Sequence, residues 1–357
     1  MRPVHGGNLT WAAALAGCPP DAILDFSASI SPLGPPKSAI AAIQAHMGKL
    51  SYYPDPNYWE LRVALGEMHQ LPPEWILPGN GSAELLTLAG WDLAKLATTY
   101  LATPAFGDYW RALKAFDAKV RSYPLSLDQR TSPSPAPLPP SNCGLLLNNP
   151  HNPTGQMFLV EDILPYLEQF ALVVVDEAFM DFLHPHQEQS LIPVVQKYPN
   201  LVILRSLTKF YSLPGLRLGY AITHPDRLRC WQQWRDPWPV NTLAAAAATA
   251  VIQDKDFQQQ TWEWLPPTRL ALFQGLAQVP CLQPYPSAAN FLLVHSQQSI
   301  SQVQQKLLEC HQILIRDCLS FPELGDHYFR VAVRSKTENE RLVQALTAIL
   351  SASWKQE

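Results

Sequence analysis

The stretch Arg205-Ser206-Leu207-Thr208-Lys209-Phe210-Tyr211-Ser212-Leu213-Pro214-Gly215-Leu216-Arg217 sets a lysine among hydroxyl residues, just beyond an apolar run, with an arginine eight positions on. The run before it is Leu201-Val202-Ile203-Leu204, and two others of the same kind lie upstream, Leu145-Leu146-Leu147 and Leu172-Val173-Val174-Val175. Short, apolar and rich in branched residues, all three suit strands of a sheet covered on both faces. Helix-length segments separate them, such as 160–170, so the order is strand–helix–strand and the fold class is α/β with a mostly parallel sheet. In open parallel sheets ligands bind beyond the carboxyl ends of the strands. Beyond these ends stand Asn148-Asn149-Pro150-His151-Asn152-Pro153-Thr154-Gly155, then Asp176-Glu177, then Ser206 to Lys209. One edge thus receives an amide, a carboxylate and an amine.

Taken singly, each has a structural explanation. A carboxylate at a strand end often caps a helix, Asn-Pro-Thr-Gly is ordinary turn chemistry, and a loop lysine is usually solvated. Their ordered coincidence points instead to pyridoxal phosphate, an electron sink whose ring nitrogen must stay protonated. A buried carboxylate opposite that nitrogen favours the charged form, and Asp176 is the candidate. Only a primary amine makes a Schiff base with the cofactor, which gives Lys209 its role. The Asn152 amide can donate to the ring phenolate, while Ser206, Thr208 and Arg217 can hold the phosphate. Upstream, Pro78-Gly79-Asn80-Gly81-Ser82-Ala83-Glu84 precedes a helical pattern with apolar Leu85, Ala89, Leu93 and Leu96. Glycines and a serine at a helix start make an anion site. No Gly-Lys-Ser/Thr follows, which argues against a nucleotide loop. In Thr103-Pro104-Ala105-Phe106-Gly107-Asp108-Tyr109, Phe106 can stack on the ring.

The order Gly-Asn-Gly-Ser, Pro-x-Phe, Asn-Pro-His-Asn-Pro-Thr-Gly, Val-Val-Asp-Glu-Ala-Phe, Ser-Leu-Thr-Lys and Gly-Leu-Arg-Leu-Gly-Tyr resembles the fold-type-I pyridoxal-phosphate enzymes. Within them it resembles the histidinol-phosphate aminotransferases and the threonine-phosphate decarboxylases of cobalamin synthesis, from His5 to about Leu346. His5-Gly6-Gly7-Asn8, the segment Asp25-Phe26-Ser27-Ala28-Ser29-Ile30-Ser31-Pro32-Leu33-Gly34-Pro35-Pro36 and Pro237-Trp238-Pro239-Val240-Asn241 tilt the likeness to the decarboxylases. Two departures stand out. Ser29 and Ser31 occupy positions where the family usually has asparagines, and Phe179 stands where the aminotransferases commonly have a tyrosine. The resemblance implies that Lys209 and Asp176 are catalytic and that Phe106 stacks. Asn152 contacts the phenolate side, and Gly81, Ser82, Ser206, Thr208 and Arg217 surround the phosphate. It further implies that Tyr53 reaches the cofactor of a neighbouring subunit, hence a homodimer with shared active sites. His5, Gly6, Ser29, Asn152, Arg316 and Arg330 would bind a small phosphorylated amino acid.

Composition narrows the alternatives. With 26 Lys and Arg against 30 Asp and Glu, the net charge of −4 argues against nonspecific nucleic-acid binding. The six cysteines form no Cys-x-x-Cys pair, which suits reduced thiols and a cytoplasmic enzyme. His184-Pro185-His186 lacks a nearby third ligand, so no metal is expected. Leu15-Ala16-Gly17-Cys18 resembles a lipoprotein cleavage box, but Gly6, Gly7 and Asn8 interrupt its lead, and no segment is long enough to span a membrane. The chain divides into an N-terminal arm and small-domain segment at 1–50, a cofactor domain at 51–240 and a smaller α+β domain at 241–357. The proline-rich run from Pro133 to Pro140 is expected to be an extended connector. In the last domain a helix is expected from Ala244, strands at Asn290-Phe291-Leu292-Leu293-Val294 and Tyr328-Phe329-Arg330-Val331-Ala332-Val333, and a closing helix at 338–350.

Three functions remain open at this level: decarboxylation of O-phospho-L-threonine, transamination of the histidinol-phosphate type, and a non-catalytic binding or regulatory module that keeps the fold. The first two need the same cofactor site. Intact Lys209 and Asp176 argue against the third.

Overall fold

The three apolar runs become adjacent strands of one seven-stranded sheet. The computed structural model describes residues 5–127 and 141–353; the expected proline-rich connector at 133–140 lies outside the described residues. Along the chain the sheet's strands are β1 (Ile76–Asn80), β2 (Thr98–Thr103), β3 (Val120–Pro124), β4 (Cys143–Asn148), β5 (Leu172–Asp176), β6 (Leu201–Ser206) and β7 (Leu218–Thr223). Their order across the sheet is β1-β7-β6-β5-β4-β2-β3. All run the same way except β7, which is antiparallel to both neighbours. Strands β4, β5 and β6 are buried along their whole length, which their unbroken apolar runs require.

The register collects the strand ends. Asn148 pairs with Asp176, Asp176 with Leu204, Ser206 with Gly219 and Asn80 with Leu218. One edge of the sheet therefore presents the ends of β1, β4, β5 and β6 together with the start of β7. The helix Ser82–Ala94 follows β1 and buries Leu85, Ala89 and Leu93 against Leu146, Val174 and Val202. Each fully buried leucine contributes about 1.5–3 kcal/mol. The helix expected at 160–170 spans Val160–Gln169, and the one expected from Ala244 spans Thr242–Gln253.

Residues Leu33–His151 and Met157–Thr261 form one compact unit; the N-terminal segment to Pro32, Asn152–Gln156 and Trp262–Glu357 form the other. These divisions differ from the boundaries at 50 and 240 read from the sequence. The later one falls inside the helix Lys255–Ala277, where no loop signal marks it. In the second unit β8 (Leu282–Pro284), β9 (Phe291–Ser296), β10 (Arg316–Asp317) and β11 (Tyr328–Ala332) make an antiparallel sheet ordered β10-β11-β9-β8. The closing helix Lys336–Ser353 buries Leu342, Ala345, Leu346 and Ile349, the positions its 3.6-residue period marks. The Leu15-Ala16-Gly17-Cys18 run is the end of the helix Leu9–Ala16, closed by Gly17 at φ 65°. Among the described residues no helix is long and apolar enough to cross a membrane.

Candidate active site

In the first unit the strand ends bring Asp176, Ser206, Thr208 and Lys209 together. Asp176 ends β5 and is buried. Its Oδ1 accepts from the Ala178 N–H at 2.9 Å and its Oδ2 from the Tyr109 hydroxyl at 2.9 Å. Burial pushes its carboxyl above the ordinary range, against the two hydrogen bonds and the Lys209 ammonium, which pull it down. Burial likewise holds the Tyr109 phenol well above its usual value, so it stays a donor. Lys209 lies in the four-residue helix Leu207–Phe210, half-buried, one turn beyond the end of β6.

Around it is a set of groups suited to an anion. Gly81 opens the helix Ser82–Ala94 at φ +73° and supplies no side-chain cap, so the N–H groups of the first turn have no capping partner from it. A Cβ on Gly81 would lie 2.5 Å from Arg217 Nη2, which ties the glycine to this guanidinium. Ser206 Oγ and Thr208 Oγ1 are 2.7 Å apart. Phe106 precedes the helix Gly107–Lys114 and meets Tyr109 edge-on with ring centres 5.6 Å apart. Tyr53 stands apart from these groups in its surroundings: its side chain is 78% exposed and stacks on Trp238 at 4.3 Å.

In the second unit Arg316 and Arg330 face each other across β10 and β11. Both are drawn below the usual guanidinium range by burial, and Arg330 is pushed further by the neighbouring Arg316 charge, down to about 10. Arg316 donates to Ser320 Oγ at 2.6 Å and lies 3.6 Å from Asp317. Arg330 donates to Asn152 Oδ1 and covers the Phe291 ring at 4.6 Å, while its Nε is buried without a partner among the described residues. A buried and a half-buried cation with one nearby carboxylate make a receptor for an anion. Asn152 belongs to this unit because the 152–156 segment is bound here, the Gly155 carbonyl accepting from the Ala288 N–H at 2.8 Å.

The N-terminal arm packs on the same unit. Gly6 sits so close to the Ser27 carbonyl that a side chain would overlap it, and the Gly7 N–H donates to Ser27 Oγ at 2.7 Å. His5 is exposed. Ser29 is buried, and neither its Oγ nor Asn290 Oδ1 has a partner among the described residues, although Asn290 donates to the Ser29 carbonyl at 3.0 Å.

Two features escaped the sequence reading. Tyr109 was given no role beside Phe106; its spacing of three from that ring, at a helix start, was the available signal. The other is a buried charge cluster around Arg205, which contacts Glu177 at 3.0 Å, Asp181, and Glu188 at 3.9 Å. Strand alternation gives the clue, since Arg205 precedes Ser206 and Glu177 follows Asp176, both turned to the opposite face.

These residues fit pyridoxal phosphate on their own chemistry. A buried carboxylate raised by desolvation gains from a cationic ring nitrogen, and an uncapped helix start beside Arg217 and two hydroxyls gains from a phosphate.

Residues 21–346 match the family described as aminotransferase class I and II. The chain is 40% identical to the threonine-phosphate decarboxylase of Salmonella typhimurium, over 98% of each chain. The histidinol-phosphate aminotransferase structure from Clostridium acetobutylicum superposes with a TM-score of 0.83 at 25% identity, covering 92% of this chain and all, 100%, of that one. That of Sinorhizobium meliloti, solved in complex with pyridoxal-5'-phosphate, shares the fold with a TM-score of 0.84 at 21% identity, over 99% and 98% of the two chains.

Proposed function

The chain belongs to the class I and II aminotransferases, a pyridoxal-phosphate-dependent family, and we propose that it decarboxylates O-phospho-L-threonine to aminopropanol phosphate for corrinoid assembly. The observation that carries this reading is the 40% identity to a threonine-phosphate decarboxylase along 98% of the chain, N-terminal arm included. Phe179 supports it: the ring has no hydroxyl, where the aminotransferases that the chain resembles commonly carry one.

Pyridoxal phosphate, when bound, supplies a ring that takes up the electrons left when a bond at the substrate Cα breaks. Asp176 keeps the proton on the ring nitrogen, its own orientation set by Tyr109 and Ala178. Gly81, Ser82, Ser206, Thr208 and Arg217 hold the phosphate through backbone N–H groups, hydroxyls and one guanidinium. Phe106 covers one ring face. Lys209 would give the amine that fastens the cofactor, and the same amine could move a proton at the substrate Cα.

Arg316 and Arg330 take the substrate's anionic groups, which relieves their mutual repulsion. Arg330 also fixes the Asn152 carbonyl oxygen, which leaves that amide's N–H groups as donors, the part that the family resemblance gives them toward the cofactor phenolate. His5, Gly6 and Ser29 complete the substrate side. We take the enzyme to be a cytoplasmic homodimer in which Tyr53 serves the partner's cofactor. Its exposure and the six free cysteines support this.

Transamination is the second reading, favoured by the fold likeness to a histidinol-phosphate aminotransferase. Incubation with O-phospho-L-threonine and 2-oxoglutarate separates the two. Carbon dioxide without glutamate is the expected result; glutamate without carbon dioxide overturns the decarboxylase reading.

A further inference from the structure

The exposed Tyr53 is held by a neighbour that the reaction itself does not call for. Its ring lies on Trp238 with centres 4.3 Å apart and planes 26° apart. Its hydroxyl makes no hydrogen bond among the described residues, and the side chain is 78% exposed. An exposed tyrosine without such a platform samples several rotamers, and any ligand that uses its hydroxyl must bear the cost of selecting one.

The platform is stiff. Trp238 lies between Pro237 and Pro239, whose rings fix φ. Its backbone N–H donates to Asp236 Oδ1 at 2.7 Å. Two residues on, Val240 is clamped from both sides by one buried hydroxyl: Tyr58 Oη donates to the Val240 carbonyl at 3.1 Å and accepts from its N–H at 3.0 Å. Asn241 then caps the helix Thr242–Gln253 through Ala244 N–H at 2.8 Å. The Tyr53 loop is braced in parallel. Pro54 and Pro56 flank Asp55, whose carboxylate accepts from the N–H groups of Asn57 at 3.0 Å and Trp59 at 2.8 Å. Tyr58 thus joins the two loops, and the stack fixes the one side chain that projects from them.

We propose that Trp238 is a positioning residue: it holds the Tyr53 ring in the orientation from which its hydroxyl reaches the cofactor phosphate of a second copy of this chain. The inference rests on the reading that Tyr53 serves the partner's cofactor. Trp238 touches neither substrate nor cofactor in this scheme. Its effect passes entirely through Tyr53.

The test is a mutant cycle read as the dissociation constant of pyridoxal phosphate from the holoenzyme, with folding monitored by thermal melting. Tyr53→Phe removes one charge-assisted hydrogen bond and raises the constant by roughly tenfold or more. Trp238→Ala removes the platform and raises it by roughly two- to tenfold. Trp238→Phe keeps an aromatic surface and restores most of the affinity. In the Tyr53→Phe background, Trp238→Ala adds nothing further. A merely structural role for Trp238 would weaken binding equally in both backgrounds, and that result overturns the proposal. If Tyr53→Phe weakens binding while Trp238→Ala does not, the positioning role alone falls. If Tyr53→Phe changes nothing, the shared-tyrosine reading falls and takes the Trp238 proposal with it.

Discussion

Replacing Asp176 with asparagine is expected to weaken cofactor binding and to change how apoenzyme stability depends on pH. The substitution is nearly isosteric. The asparagine Oδ1 can accept from the Ala178 N–H in place of the carboxylate, and its NH2 can donate to the Tyr109 hydroxyl, which is able to accept. The Tyr109 hydroxyl then has no acceptor for its own proton, at a cost of about 1–3 kcal/mol. The buried charge disappears as well. Burial raises the folded-state pKa of Asp176, so between its unfolded value, roughly 3.9, and that higher folded value the folded chain binds more protons. Its contribution to stability therefore falls as pH rises through this window and stays unfavourable above it. Relative to the wild type, the Asp176→Asn apoenzyme should therefore gain stability as pH rises through this window and lose that gain as pH falls below it.

In the holoenzyme the lost charge acts on the cofactor. A hydrogen bond to a charged group contributes about 1.5–3 kcal/mol, so losing the carboxylate opposite a cationic ring nitrogen raises the cofactor dissociation constant by roughly 10- to 150-fold. Fluorescence titration of apoenzyme with pyridoxal phosphate measures this, alongside melting across pH. A melting difference from wild type that does not change with pH, together with unchanged cofactor affinity, would refute the reasoning, because Asp176 would then be a structural hydrogen-bonding residue.

Arg330→Ala removes one of two facing guanidiniums and leaves Asn152 Oδ1 without its donor; KM for the phosphorylated substrate should rise by roughly tenfold or more, with unchanged steady-state kinetics the contrary result. Gly81→Ala forces a side chain onto φ +73° and against Arg217, and equilibrium dialysis should show weaker pyridoxal-phosphate binding; undiminished binding would contradict the assigned phosphate cradle.

The edge that gathers the site was legible because β4, β5 and β6 are covered on both faces. Burial on both sides demands unbroken apolar runs, and the first polar residue after each run marks the strand end. The antiparallel strand β7 carried no such mark, since Gly219 and Tyr220 interrupt its apolar character. The division of the chain was harder for a physical reason. Asn152–Gln156 is a five-residue segment that joins the second unit through contacts such as Gly155 with Ala288, and contacts distant in sequence leave no periodic trace. Tyr109 was hidden for a related reason: a buried tyrosine serving Asp176 and one filling a core have the same local pattern. The partnerless Ser29 Oγ and Asn290 Oδ1 likewise become visible only once burial is known.

Borohydride reduction of the pyridoxal-phosphate-loaded protein, followed by peptide mass mapping, tests the account most directly. A pyridoxyl group fixed on the peptide that carries Lys209, and absent from Lys209→Ala, is the predicted result. A label on another lysine, or no label at saturating cofactor, would contradict it.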